Sequence, residues 1–166
     1  MLDALSRRLF LTLAESETLK KTVSRYGMRG PHSFARRFIG GEDVDQAIAL
    51  ARTLADRGFS HTLNHLGEHV ATPEAARTAA RECLMIVDTV GVAGLSCKIS
   101  VKLSQIGLEV DRDLCVDNLR QILTAAARCG GFVRIDMEGS ASVDITLDIL
   151  DAIWAEEGAQ PGGRPA

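Results

Sequence analysis

Apolar side chains recur at intervals of three and four through most of this 166-residue chain, and the rhythm changes in three short runs. Leu2, Leu5, Leu9, Leu11 and Leu13 predict a helix over 2–14, and Ser16 is placed to cap a second over 17–25. Gly27, Gly30 and Pro31 break that helix, and a brief one over 33–38 ends at Gly40-Gly41. Val44, Ala47, Ile48, Ala51, Leu54 and Ala55 then form one apolar stripe, closed by Gly58. Phe59 to Leu66 reads as a first strand. Thr72-Pro73-Glu74 is a helix start, with a hydroxyl cap, proline at the first position and an acid in the first turn. That helix runs to about Val90 and closes in a Gly91/Gly94 loop. Cys97 to Leu103 is a second strand, followed by a helix over 112–128 that Gly130-Gly131 ends. Phe132 to Met137 is a third strand, and Ile145, Leu147, Ile149, Leu150, Ile153 and Trp154 stripe a last helix over 143–157.

The order is helices first, then β-α-β-α-β-α, for which right-handed crossovers between parallel strands are expected. The reading divides the chain into an N-terminal helical segment (1–58), three βα units (59–157) and an irregular tail (158–166). Three parallel strands with helices on one side leave the other sheet face and both edges bare. A complete (β/α)8 barrel takes about 250 residues. The expected fold class is therefore α/β, a partial (β/α)8, TIM-like barrel. An open three-stranded sheet covered on its other face by the N-terminal helices is the alternative.

Composition narrows the partners. A formal charge of -3 and 4% aromatic residues give no electrostatic or stacking basis for nucleic acid. Cys83, Cys97, Cys115 and Cys129 form no Cys-x-x-Cys pair, which favours reduced thiols in a cytoplasmic protein over zinc or a disulfide framework. Ser6-Arg7-Arg8-Leu9-Phe10-Leu11 superficially resembles a twin-arginine signal, but Glu15 and Glu17 interrupt the apolar part. The longest apolar stretch, Cys83 to Leu95, contains Asp88 and is too short to be a transmembrane segment.

Glu68, Lys102 and Asp136 stand 34 residues apart at or near the ends of the three strand candidates. Side chains at the carboxyl ends of successive parallel strands converge on one face, where such folds place their chemistry. Two carboxylates and an ammonium there suit a small zwitterion. Each also has a plainer explanation: Glu68 solvated or assisting the Thr72 helix, Lys102 snorkelling to water, Asp136 in a structural ion pair with Lys102. Arg134 should share the face of Asp136, Glu138 should too if the strand extends, and Met137 should point the other way. His61, His65 and His69 have helical metal-ligand spacing, but their segment reads as strand and loop, so no metal is expected, though His65 is placed to line a pocket. There is no G-x-G-x-x-G, Walker or G-x-S-x-G motif, and nothing favours covalent catalysis.

Arg37-Phe-Ile-Gly-Gly-Glu-Asp43, Thr62-Leu-Asn-His-Leu-Gly-Glu68, Ser100-Val-Lys-Leu-Ser-Gln-Ile-Gly107 and Phe132-Val-Arg-Ile-Asp-Met-Glu-Gly-Ser140 occur in this order. Together they resemble the proline dehydrogenase family, over residues 5 to 157. The resemblance implies a distorted (β/α)8 barrel that uses FAD to oxidise L-proline to 1-pyrroline-5-carboxylate and passes electrons to a quinone. It implies that Lys102 pairs with the proline carboxylate and that Asp136 is the active-site carboxylate beside it. It further implies that Met137 contacts the flavin and that Glu68 forms an ion-pair gate with a late arginine. Asn64 stands where the family commonly has aspartate.

The family's fourth strand, which gives a glutamine to the flavin, its fifth, which carries basic residues, and its last helix, which gives an arginine pair, have no counterpart before Ala166. The expectation is thus a truncated chain, inactive alone, for which a second polypeptide would complete the barrel. A non-catalytic remnant or self-associating half barrel is the alternative. Peripheral attachment to the inner membrane is left open.

Overall fold

The computed structural model describes residues 39–67 and 69–158; the helices expected over 2–14, 17–25 and 33–38 lie outside them. The chain divides into two compact units, Met1–Gln46 and Ala47–Ala166. In the first, Asp43 Oδ1 accepts from the Gln46 N–H at 2.9 Å, capping the start of helix α1 (Val44–Asp56).

The second unit begins within α1, whose Ile48 and Ala51 are buried. Gly58, at φ 78°, turns the chain out of that helix, as its position predicted. Strand β1 (Leu63–Asn64) follows, then helix α2 (Pro73–Val92), strand β2 (Lys98–Val101), helix α3 (Arg112–Arg128), strand β3 (Phe132–Ile135), a 3-10 turn (Ser140–Ser142) and helix α4 (Val143–Gly158). The sheet is parallel in the order β1-β2-β3, so each crossover carries one helix. The α/β class and the three successive βα units stand as read from the pattern.

Local chemistry sets the helix starts. Thr72 takes extended backbone and its hydroxyl accepts from the Ala75 N–H at 3.2 Å, with Pro73 next. Asp111 does the same for α3, accepting from the N–H groups of Asp113 (2.8 Å) and Leu114 (3.1 Å). α2 buries small residues, Ala76, Ala79, Ala80 and Cys83, which lets it lie close to α3. α3 buries Cys115, Leu119, Ile122 and Ala126.

The strands are shorter than the pattern predicted. β1 was expected over Phe59 to Leu66, yet only Leu63 and Asn64 pair, with Ile99 and Ser100. The reason lies in β2, which leaves the ladder at Lys102 and coils through a run of turns to Val110. Past Val101 no strand remains for the end of β1 to join. Within β2, Ile99 and Val101 are fully buried and Ser100 between them is buried too, while Lys98 at the start is half-buried. Burial alternates along β3, with Phe132 and Arg134 exposed. The sheet is thus apolar on one face and polar on the other.

The turns after β2 press against α2. Gly107 has φ 114°, and a Cβ there would lie 3.1 Å from the Ala76 Cβ. Gly107→Ala is therefore expected to lower stability by about 1–3 kcal/mol, through a backbone conformation that L side chains avoid and a contact Ala76 cannot yield to. Chemical denaturation of the two proteins checks this; equal midpoints would count against the turn's close seating.

Candidate functional site

The polar sheet face acquires its chemistry at the carboxyl ends of the strands. β2 and β3 are in a register that pairs Ser100 with Arg134 and Val101 with Ile135. The Asp136 N–H donates to the Val101 carbonyl at 2.9 Å, so the ladder continues past β3. Parallel partners project to a common side, and alternation puts Ser100 and Arg134 on one face, with Lys102 the next residue of that parity beyond the paired end of β2. The Ser100 hydroxyl donates to Asp136 Oδ1 at 2.5 Å, reaching across from β2 and fixing the carboxylate over that face. Ser100 is buried; Lys102 and Asp136 are half-buried, at the mouth.

Glu138 was expected on this face if the strand continued. The strand ends at Ile135, and Glu138 instead braces the loop of the neighbouring strand. Its Oε2 accepts from the Ser104 N–H at 2.9 Å and its Oε1 from the Ser104 hydroxyl. Beneath, the Cys115 thiol donates to the Leu103 carbonyl at 3.6 Å. Burial first, and the charge of Glu138 second, push that thiol up to about 12.

Gln105 carries the bracing on to β1. Its Nε2 donates to His65 Nδ1 at 2.8 Å and to the His65 carbonyl at 3.2 Å. A neutral His65 accepting at Nδ1 holds its proton on Nε2, which lies 3.5 Å from Glu82 Oε2 of α2. A Cβ on Gly67 would fall 2.9 Å from Gln105 Nε2, so the bare glycine makes room for this bridge. Two side-chain contacts thus fasten three strand ends together: Glu138 on the loop after β2, and Gln105 of that loop on the end of β1.

Of the residues singled out in the sequence, Asp136 is held by Ser100, and Lys102 follows the paired end of β2. Met137 follows Asp136 and is 53% exposed. Asn64 is exposed on β1. Glu68 lies outside the described residues. The three histidines take separate courses: His65 meets Gln105, His69 meets Glu109 at 3.0 Å, and His61 Nε2 is buried without a hydrogen-bond partner. Among the described residues no group of three or more His, Cys, Asp and Glu side chains is gathered as metal ligands. Sequence reasoning passed over Ser100, Ser104 and Gln105. Ser100 had a signal in its parity with Lys102; Ser104 and Gln105 lie in the turns after β2, where alternation gives none.

Comparison with known proteins places this arrangement. The family model described as Proline dehydrogenase matches residues 47–162. Proline dehydrogenase 2 of Bacillus subtilis is 36% identical over 146 residues, covering 88% of this chain and 47% of that protein. The Deinococcus radiodurans protein named proline dehydrogenase is 31% identical over 166 residues, covering 98% of this chain and 52% of its own length. The chain spans about half the length of the curated relatives it matches. Among solved structures, proline utilization A from Bdellovibrio bacteriovorus inactivated by N-propargylglycine superposes with a TM-score of 0.66 at 19% identity, over 72% of this chain and 15% of that one. That likeness concerns the fold.

Glu138→Ala removes the acceptors of both Ser104 groups. Hydrogen exchange at the Ser104 amide is expected to accelerate at least about tenfold, and stability to fall by about 1–3 kcal/mol. Glu138→Gln, which keeps an acceptor, should recover most of the protection. An Ala variant that exchanges at the parent rate would show that the loop is held by other means.

Proposed function

The chain belongs to the proline dehydrogenase family, and on that premise we propose that it supplies the substrate-carboxylate side of an enzyme that oxidises L-proline to 1-pyrroline-5-carboxylate. The observation that carries this reading is the Asp136 carboxylate oriented by Ser100, with the Asp136 N–H bonded to the Val101 carbonyl, immediately before Lys102. A zwitterionic amino acid brings a carboxylate that must be neutralised as it leaves water. Lys102, half-buried at the mouth, supplies that charge on a long stem. Asp136 balances the lysine and stands toward the substrate's ring nitrogen, so that the two ends of proline meet opposite charges and the ring is held in one orientation. In the same reading Glu68 gates the mouth by pairing with an arginine.

FAD is the cofactor in this reading, and the residues present fit one side of it. Met137 offers an exposed thioether beside Asp136, on the loop that continues the strand end. When bound, FAD supplies the hydride acceptor, with a quinone as the next electron acceptor. The described residues themselves bind, orient and shield the substrate. The remaining strands of a (β/α)8 barrel would come from further sequence, in the same chain or in a second polypeptide. No helix among the described residues is long and apolar enough to cross a membrane.

A second reading, a self-associating half barrel without catalysis, is favoured by one observation. Leu147, Leu150 and Trp154 on α4 are exposed, Trp154 at 55%, and β3 ends the sheet among the described residues. Sedimentation of the purified chain separates the two. Stable dimers or larger species that persist on dilution support self-association, and a cooperatively melting monomer argues against it.

The catalytic reading is tested by producing the chain together with a polypeptide carrying the later half of the Deinococcus radiodurans relative, then assaying proline-dependent dye reduction. Retained flavin and turnover are expected; absence of both would overturn the reading. In an active assembly, Lys102→Ala should weaken proline affinity by on the order of 2–4 kcal/mol, because a charge-assisted contact to a desolvated carboxylate is lost. An unchanged proline KM in that variant would remove Lys102 from its assigned role.

A further inference from the structure

At the opposite end of the sheet from Lys102 and Asp136, two cysteines that the sequence keeps 32 residues apart are brought together. The Phe132 N–H donates to the Cys97 carbonyl at 2.8 Å, which sets Cys97 beside Gly131 where β2 enters the sheet. α3 ends at Cys129, its C-cap, and the chain turns through Gly130 at φ 61° into β3. The turn brings the Cys129 thiol within hydrogen-bonding reach of the Cys97 thiol.

Two glycines make the room. A Cβ on Gly91 of α2 would lie 3.3 Å from the Cys129 Cβ and 3.8 Å from its Sγ. A Cβ on Gly131 would lie 3.0 Å from the Cys97 Cβ and 2.9 Å from the Cys97 carbonyl oxygen. A side chain at either position would crowd the pair.

The two thiols differ in access. Cys97 is 3% exposed, whereas Cys129 is exposed to solvent and its thiol rests on the Ala126 carbonyl at 3.2 Å. Cys83 and Cys115 are fully buried in the core. We propose that Cys97 and Cys129 form an oxidation-sensitive dithiol that closes to an intramolecular disulfide when the chain meets a peroxide, fastening the entry of β2 to the exit of α3.

The steps balance. The exposed Cys129 thiolate attacks one peroxide oxygen, the O–O bond breaks, and water leaves once the second oxygen is protonated. Cys129 is then a sulfenic acid. The Cys97 sulfur attacks the Cys129 sulfur, the S–O bond breaks, and the Cys97 proton goes out with the hydroxyl as a second water. One peroxide is reduced to two waters and two thiols are oxidised to one disulfide. Burial, with the neighbouring Cys129, pushes the Cys97 thiol up to about 12. Cys129, the exposed thiol of the two, is the one peroxide reaches first, and buried Cys97 is the resolving thiol. The link would close a loop containing all of β2 and α3, restricting the unfolded chain. It lies at the amino ends of the strands, away from the reaction face.

Treatment of the purified chain with equimolar hydrogen peroxide, followed by thiol alkylation and peptide mass spectrometry, tests this. The expected result is the Cys97 peptide joined to the Cys129 peptide in a monomeric chain, reversed by dithiothreitol, with a melting midpoint higher by several degrees in the oxidised form. Cys129→Ser should abolish the link and Cys83→Ala should leave it intact. Peptide mapping of the parent chain decides the matter even if a variant fails to fold. Cys129 carried to sulfinic or sulfonic acid while Cys97 remains alkylatable, cross-links only between chains, or a link with no rise in melting midpoint would each overturn the proposal.

Discussion

The parallel pairing of β2 with β3, in one register, is the constraint from which the remaining geometry descends. A slip by a single residue would turn Asp136 to the helix side and Lys102 away from it, because side-chain direction alternates along a strand. The register is held by the burial of Ile99 and Val101 on one face. Those two residues can occupy the core only if Ser100 and Lys102 face the other way. The apolar half of the strand thereby aims its polar half, and hydrophobic burial, which has no direction of its own, becomes an orienting device for charge.

Beyond the ladder, side chains take over the work of backbone. The strands stop early, and the loops at their ends would be loose without Glu138 on Ser104 and Gln105 on His65. Each of these contacts spans two βα units, so the mouth of the sheet is organised by polar groups while its interior is organised by apolar ones. The chemistry assigned to Lys102 and Asp136 needs such support, since an ammonium on four methylenes is useful only if its root does not wander.

Much of this was legible in the residues. Helix α3 was read with its observed limits, its end marked by Gly130-Gly131, whereas the Asp111 cap at its start emerged from the structure. The Thr72-Pro73-Glu74 start of α2 was equally plain. Its far end was read short, as Gly91 continues the helix where pattern suggested a loop. The strands were overestimated, because an apolar run reports burial and not whether a neighbour offers hydrogen bonds. Phe59 belongs to such a run and is exposed. The 34-residue offset between β2 and β3 was visible through the equal spacing of Lys102 and Asp136. The Glu138 brace was not, since it depends on a strand ending three residues earlier, which no local signal announces.

Strand β1 touches its neighbour through two register pairs, whereas β3 has four. The pairings close chain segments of 36 and 34 residues, so loop entropy hardly distinguishes them. The difference in ladder length does. Thermal opening of the sheet accordingly starts from the β1 side, carrying His65 and its hold on Gln105 away while the bond between Ser100 and Asp136 endures. Breathing of the mouth is thereby confined to one wall, and the charge-bearing wall stays still.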